Sequence, residues 1–314
     1  MTLTRIARSC FVVGLASLQA IAGEPTATPT VPPGHLYDRV AVIGASASDG
    51  FGVIVKDEPA PTDGRAATVQ LGLAKILRLA AAKAAAKAAA APIVHDYASG
   101  YFFANPGHVG RGEIDRALKR DPTLVIALDY LFWWVFGTVD AAGEQMSDED
   151  ARLKNLEAGL AQLDRLLAAG TPIVVGDLPD MADAIGKMLS KAQVPKPETL
   201  AKANARIAEW SAVRSGARHF PLAQIHAALK RGEMISLGGT SWETARWGEF
   251  LQRDQLHPTF VGTVALAAGL AERARDFDPA SASPWQFDPD AIRTAALTRE
   301  TAKPGADEPQ RKAP

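Results

Sequence analysis

Three residues set far apart in the chain have the types and settings for nucleophilic chemistry: Ser46, Asp254 and His257. Ser46 lies just past an apolar run, residues 40–43, in the stretch Gly44-Ala45-Ser46-Ala47-Ser48-Asp49-Gly50. An apolar run that breaks into a turn of small residues is how a buried parallel strand presents a side chain at its C-terminal end. A serine hydroxyl becomes a working nucleophile when a base lies within hydrogen-bond reach and a carboxylate fixes the tautomer of that base. The segment Arg253-Asp254-Gln255-Leu256-His257-Pro258 carries both groups in one loop. At a separation of three, Asp254 can meet Nδ1 of His257 within a single turn and leave Nε2 for Ser46. Pro258 disfavours helical backbone at His257 and so pins the loop. Ser48 competes for the nucleophile's role, but a hydrogen bond within the turn is the simpler use of its hydroxyl.

The elements that must position these groups can be read in order. After the strand at residues 40–43 comes a polar loop at 56–64, then an alanine-rich helix over 66–91 that Pro92 stops. A second strand is expected at 92–97, running into Ala98-Ser99-Gly100, and a helix at 112–119. A third strand, residues 124–128, ends at Asp129. Ser147 is placed to cap a helix whose leucines 153, 156, 160, 163 and 167 share one face, with Gly170 closing it. A fourth strand at 171–175 runs into Asp177. Helices are then expected near 182–191 and at 197–215, a fifth strand near 220–225, and helices at 243–251 and 260–275, the last capped by Thr259. Strands alternating with helices make an α/β chain, a three-layer sandwich over a mostly parallel sheet. In such sheets ligands bind beyond the carboxyl ends of the strands, which would gather Ser46, Gly100, Asp129 and Asp177 at one edge.

A chain of 314 residues with 47% hydrophobic content can bury a large core, and a formal net charge of -1 makes no electrostatic case for nucleic acid. Residues 1–22 read as a signal peptide: Arg5 and Arg8, an apolar stretch over 11–18, then Ala20-Ile21-Ala22 before Gly23. The single cysteine, Cys10, lies within it, so no disulfide or thiolate chemistry is expected of the mature protein. Residues 23–37 read as a Pro/Thr-rich linker, 38–275 as the folded domain, and 276–314 as a tail that wraps the surface or is disordered. Export to a periplasm or the medium is expected, with no integral membrane segment in the mature chain.

The pairing of Gly44-Ala45-Ser46-Ala47-Ser48-Asp49-Gly50 with Asp254-Gln255-Leu256-His257-Pro258-Thr259 resembles the GDSL, or SGNH, hydrolases over roughly residues 38–275. The resemblance implies a flavodoxin-like α/β/α fold and a serine esterase, lipase or thioesterase activity. It gives Ser46 as nucleophile, His257 as general base and Asp254 as orienting acid. It also implies an oxyanion hole built from the N–H groups of Ser46 and Gly100. Two departures stand out. Ala45 replaces the usual Asp of the Gly-Asp-Ser turn, a loss for which Asp49 could compensate. The third strand ends in Asp129, where the family carries an oxyanion-donating Asn. An ionised Asp129 only accepts, so it is either structural or a protonated donor, or else Asn105 in the loop after Gly100 supplies that donor.

A dinucleotide site is rejected: Gly44, Ser46 and Asp49 occupy the glycine positions of that fingerprint, and Asp96 is too distant for the ribose. The other histidines, His95 beside Asp96 among them, show no metal-ligand spacing, so neither metal nor cofactor is expected. Aromatic residues after the second and third strands, and Trp242 and Trp247 before the Asp-His loop, suit either core packing or an apolar acyl pocket. The expected partner is a small-molecule or lipid-like ester. Two alternatives stay open: a carbohydrate O-deacetylase of the same fold, and a catalytically silent binding or structural member.

Overall fold

A computed structural model describes residues 35–57, 68–84, 91–146, 148–242 and 247–301. In chain order its strands are β1 (Arg39–Val42), β2 (Ile54–Lys56), β3 (Thr68–Gln70), β4 (Ile93–Asp96), β5 (Leu124–Ala127), β6 (Ile173–Gly176), β7 (Ala217–Phe220), β8 (Ile235–Leu237) and β9 (Thr240–Trp242). Its helices are α1 (Ser46–Asp49), α2 (Leu73–Ala84), α3 (Pro106–Leu118), α4 (Phe132–Val135), α5 (Glu149–Ala168), α6 (Pro197–Ala212), α7 (Leu222–Lys230), α8 (Phe260–Ala274) and α9 (Pro289–Thr301).

Five strands form one parallel sheet in the order β4-β1-β5-β6-β7. That is the flavodoxin-like order, with the site expected where β1 lies between β4 and β5 and the winding reverses. Parallel neighbours need crossovers, and the intervening helices cover both faces. The strands alternate strictly. Val40 and Val42, with Leu124, Ile126 and Val174, face a core under α2 and α8. Ala41 and Ile43, with Val125, Ala127, Ile173 and Val175, face a second core under α3, α5 and α6. The α/β/α sandwich expected from the sequence is therefore the architecture observed.

Several local expectations are corrected. Residues 182–191 do not form a helix: two 3₁₀ turns, Ala182–Ala184 and Lys191–Gln193, flank Gly186, whose φ of 78° no helix accepts. The fifth strand ends at Phe220, and Leu222, Ile225 and Leu229 belong to α7, where their spacing lines one helical face. The hairpins β2-β3 and β8-β9 were not expected, because strands of three residues carry too little pattern to read. The described part of the stretch expected to be helical at 243–251 is a single 3₁₀ turn, Trp247–Glu249. Asp148 caps α5 by accepting the Ala151 N–H; the expected cap, Ser147, lies outside the described residues. So do residues 1–22, expected as a signal peptide, most of the expected linker, residues 66–67 and 85–90 of the expected alanine-rich helix, and residues 302–314.

The segment after Asp276 does not trail away. Trp285 is buried and meets the Tyr37 ring edge-on, with centroids 4.9 Å apart. The Gln286 N–H donates to the Ala80 carbonyl on α2, and α9 packs on α2, α8 and the β2-β3 hairpin. Residues 276–301 thus close the first core, and the domain edge expected at 275 falls inside packed structure. Trp285→Ala should cost about 3 kcal/mol or more of unfolding free energy, read as a lower urea midpoint. A midpoint equal to wild type would mean that the segment is dispensable to the core.

Candidate active site

At the carboxyl end of β1 the chain turns sharply. Gly44 has a φ of 146°, and a Cβ there would lie 2.3 Å from Asp129 Oδ1, so only glycine fits. Ser46 then opens α1. From the other end of the chain, the loop before α8 brings His257 to it. His257 Nε2 lies 2.8 Å from Ser46 Oγ, and Nδ1 lies 2.8 Å from Asp254 Oδ2. With the proton on Nδ1, the ring donates to Asp254 and accepts from the serine hydroxyl. The three residues expected to act together are therefore in contact, although Ser46 and His257 are 211 positions apart.

The Asp-His loop is held by its own backbone. Asp254 Oδ1 accepts the N–H groups of Leu256 and His257, both at 3.0 Å, and Gln255 takes a φ of 63° to allow it. Burial alone would raise the Asp254 carboxyl. The hydrogen bonds from the His257 ring and from the two backbone N–H groups outweigh it, and hold the group below its ordinary value. Gln252, which the sequence reading missed, ties the two loops together: its Nε2 donates to the carbonyls of Phe51 and Pro258 at 2.7 and 2.8 Å. The Phe51 ring lies against the His257 imidazole, with centroids 4.5 Å apart.

The nucleophile turn is organised by two buried carboxylates. Asp129 Oδ1 accepts the Ala45 N–H at 2.9 Å and the Ser48 hydroxyl at 2.5 Å. Its Oδ2 accepts the N–H groups of Ala47 and Ser48 at 2.8 and 3.3 Å. Glu113 Oε2, from α3, accepts the Gly44 N–H at 2.8 Å. Of the five successive N–H groups from Gly44 to Ser48, four are thereby engaged. The Ser46 N–H is the one without a partner among the described residues.

These contacts correct the expected oxyanion set. Asp129 is not a donor: both of its oxygens accept, and it does the steadying for which the turn lacks its usual Asp. Asn105 caps α3 ahead of Pro106, its Oδ1 accepting the His108 N–H, and it is not among the residues that line the cavity beside Ser46. The Gly100 N–H donates to Asp49 Oδ2 at 3.2 Å, so that expected donor is already engaged by a carboxylate. Ser48 is fully buried and belongs to the turn, not to the chemistry. Glu113 went unrecognised, although a signal existed: it lies on the inward stripe of α3 with Gly110, Ile114 and Ala117, where a charge is out of place.

Beside Ser46 and His257 opens an apolar cavity of about 80 Å³. Its walls include Leu128, Phe132, Leu229, Leu237, Phe250 and Ala265, with Asp177 and His226 among them. Most of the other aromatic candidates lie elsewhere: Phe102, Trp134 and Phe136 are core, and Tyr101 and Phe103 are exposed. His95 stacks on Tyr97 and does not line the cavity. Asp177 Oδ1 accepts the Ala223 N–H, and Oδ2 pairs with His219 Nε2.

No protein-family model matches the chain, and no curated protein sequence does. Among solved structures it is similar to the lipase/acylhydrolase from Enterococcus faecalis, at 16% identity over 78% of this chain and 99% of that one, with a TM-score of 0.46. It is also similar to TesA, at 13% identity over 77% and 98% of the two chains, TM-score 0.43. A third is the psychrotrophic esterase EstA from Pseudoalteromonas sp., at 12% identity over 76% and 98%, TM-score 0.41. At such scores the reading of the site rests on its own distances.

Two outcomes follow from the carboxylates. Asp129→Ala would strip the partners from three backbone N–H groups and a buried hydroxyl. At about 1–3 kcal/mol for each buried group left unsatisfied, the variant should lose several kcal/mol of stability in a urea titration; a near-neutral result would refute its role as anchor. For Glu113, burial raises the carboxyl well above its ordinary 4.5, outweighing the Gly44 N–H. The unfolded chain therefore loses this proton first. The stabilising contribution is complete below 4.5 and declines as pH rises through the folded value. Glu113→Gln keeps an acceptor for Gly44 and should flatten that decline, seen as a smaller fall in urea midpoint than wild type from about pH 5 to pH 8.

Proposed function

We propose that the protein is a serine ester hydrolase that works through an acyl-enzyme on Ser46. The observation that carries the reading is the continuous chain of two 2.8 Å contacts from Ser46 Oγ through His257 to Asp254. The resemblance of the two motifs to the SGNH hydrolases supports it. In the proposed cycle Ser46 Oγ attacks the acyl carbon while its proton passes to His257 Nε2. The leaving alkoxide takes that proton as the C–O bond breaks. Water then attacks the acyl-serine, again losing a proton to Nε2, which returns it to Ser46 Oγ as the acid departs. Asp254 holds the imidazole in the tautomer this requires and stabilises its charged form. The unengaged N–H of Ser46 is the donor aimed at the developing oxyanion. The Gly100 N–H would serve beside it if the oxyanion displaced Asp49.

The cavity sets the preference among esters. A space of about 80 Å³ holds on the order of five to eight water-sized groups, the size of methylenes. Its apolar walls favour an alkyl chain of about that length over the bare acetyl of a sugar ester. The reading of residues 1–22 as a signal peptide supports export as the setting in which it acts.

A silent member of the fold is the second reading, favoured by the engagement of Gly100 by Asp49 and by an acceptor at position 129. A fluorophosphonate probe separates the two, since only an activated serine reacts. Labelling is expected on Ser46 and should vanish in Ser46→Ala. With p-nitrophenyl esters, turnover should peak near octanoyl, and Ser46→Ala should lower kcat/KM by at least ~10⁴-fold. Unchanged turnover in that variant would end the proposal.

A further inference from the structure

The polar groups on the cavity wall fall into two kinds. Ser46, His257, Asp129 and Asp177 all have hydrogen-bond partners within the protein. His226 does not. It sits on α7 between Ile225 and Leu229, lines the same cavity, is only 6% exposed, and its ring makes no hydrogen bond among the described residues. Its ring nitrogens are not among the fully buried polar atoms that lack a partner, so they keep contact with solvent; a chain that filled the cavity and covered them would have to pair them or forfeit that hydration.

We infer that His226 is a recognition residue for a hydroxyl carried on the acyl chain, so that the preferred substrates are esters of hydroxylated medium-chain acids. The inference rests on the acyl-pocket reading above. A neutral imidazole presents one donor and one acceptor. Burial, aided by the charge of Lys230 against the opposing Asp180 and Asp183, pushes His226 down to about 4, which keeps the ring neutral at ordinary pH. A hydroxyl both donates and accepts, so it suits the ring in either tautomer. A carboxylate would enter an apolar cavity without a counter-charge. Specificity built on such a group is strong in one direction: the unsubstituted chain leaves the imidazole buried and unpaired, whereas the hydroxylated chain satisfies it.

Binding measured in the Ser46→Ala protein tests this apart from catalysis. The ligands are methyl octanoate and its analogues hydroxylated at carbon 3, 7 or 8, titrated by calorimetry or by ligand-observed NMR. One hydroxylated analogue should bind about three- to tenfold tighter than methyl octanoate. His226→Phe, which keeps the ring's bulk and removes its nitrogens, should erase that preference, and His226→Gln should restore part of it. The comparison in the Ser46→Ala protein with His226 intact stands even if neither His226 variant folds. If no hydroxylated analogue binds tighter there, or the preference survives His226→Phe, the inference is wrong. Wild-type turnover of octanoyl esters is a separate readout. Its absence would sink the hydrolase reading while the binding preference still reports on His226, and its presence without the preference would sink only the assignment of His226.

Discussion

Everything at the site depends on how the Asp129 carboxylate holds the turn after β1. A turn of small residues has no side chains with which to brace itself, and its N–H groups point into protein where water does not reach. One carboxylate at the end of β5 accepts three of those N–H groups and the Ser48 hydroxyl. The cost of burying that charge is visible in the direction of its titration, which burial raises against the four hydrogen bonds that oppose it. The anchor also decides which donor remains. Because Ala45 and Ala47 on either side are engaged, the Ser46 N–H is left facing the site. The same contacts that shape the turn thus select the group positioned for an oxyanion.

The second constraint is registration between the two ends of the domain. Ser46 belongs to the first crossover and His257 to the loop before α8, so nothing local sets their separation. The sheet does so. β1 lies between β4 and β5, α8 packs on the core beneath that strand, and Gln252 bridges the loops directly. Residues after 275 reinforce the arrangement from outside: α9 and Trp285 cover α2, and α2 packs against both α1 and α8. A segment remote from the chemistry therefore contributes to holding the serine and the histidine in reach of each other.

Much of the cavity is shaped by elements outside the loops that carry Ser46, Asp254 and His257. α7, β8 and α8 supply much of its apolar wall, and Leu128, Phe132, Met181, Leu251, Leu256 and Pro258 complete it beside Ser46 and His257. Under the proposed hydrolase reading, the reacting groups sit on two loops at the sheet edge, while most of the acyl-pocket wall comes from α7, β8 and α8.

By itself the sequence determined the α/β alternation, and it marked the serine, aspartate and histidine that the folded chain brings into contact. Each of these is encoded locally: in strand-length apolar runs, in a glycine turn, and in the three-residue spacing of Asp254 and His257. The tertiary structure alone decided what the polar neighbours do. Asp129, Asn105, Gly100 and Glu113 could not be assigned from type, because a carboxylate, an amide or an N–H acts according to which partner reaches it first. Asn105 turned out to cap a helix, Asp49 engages Gly100, and Asp129 became an acceptor at four points. The two hairpins and the packing of α9 were equally hidden, since three-residue strands and a weakly periodic helix acquire their stability from the surface they cover. Hydrogen-bond roles and marginal elements are settled by contacts between distant residues, and those exist only once the chain has folded.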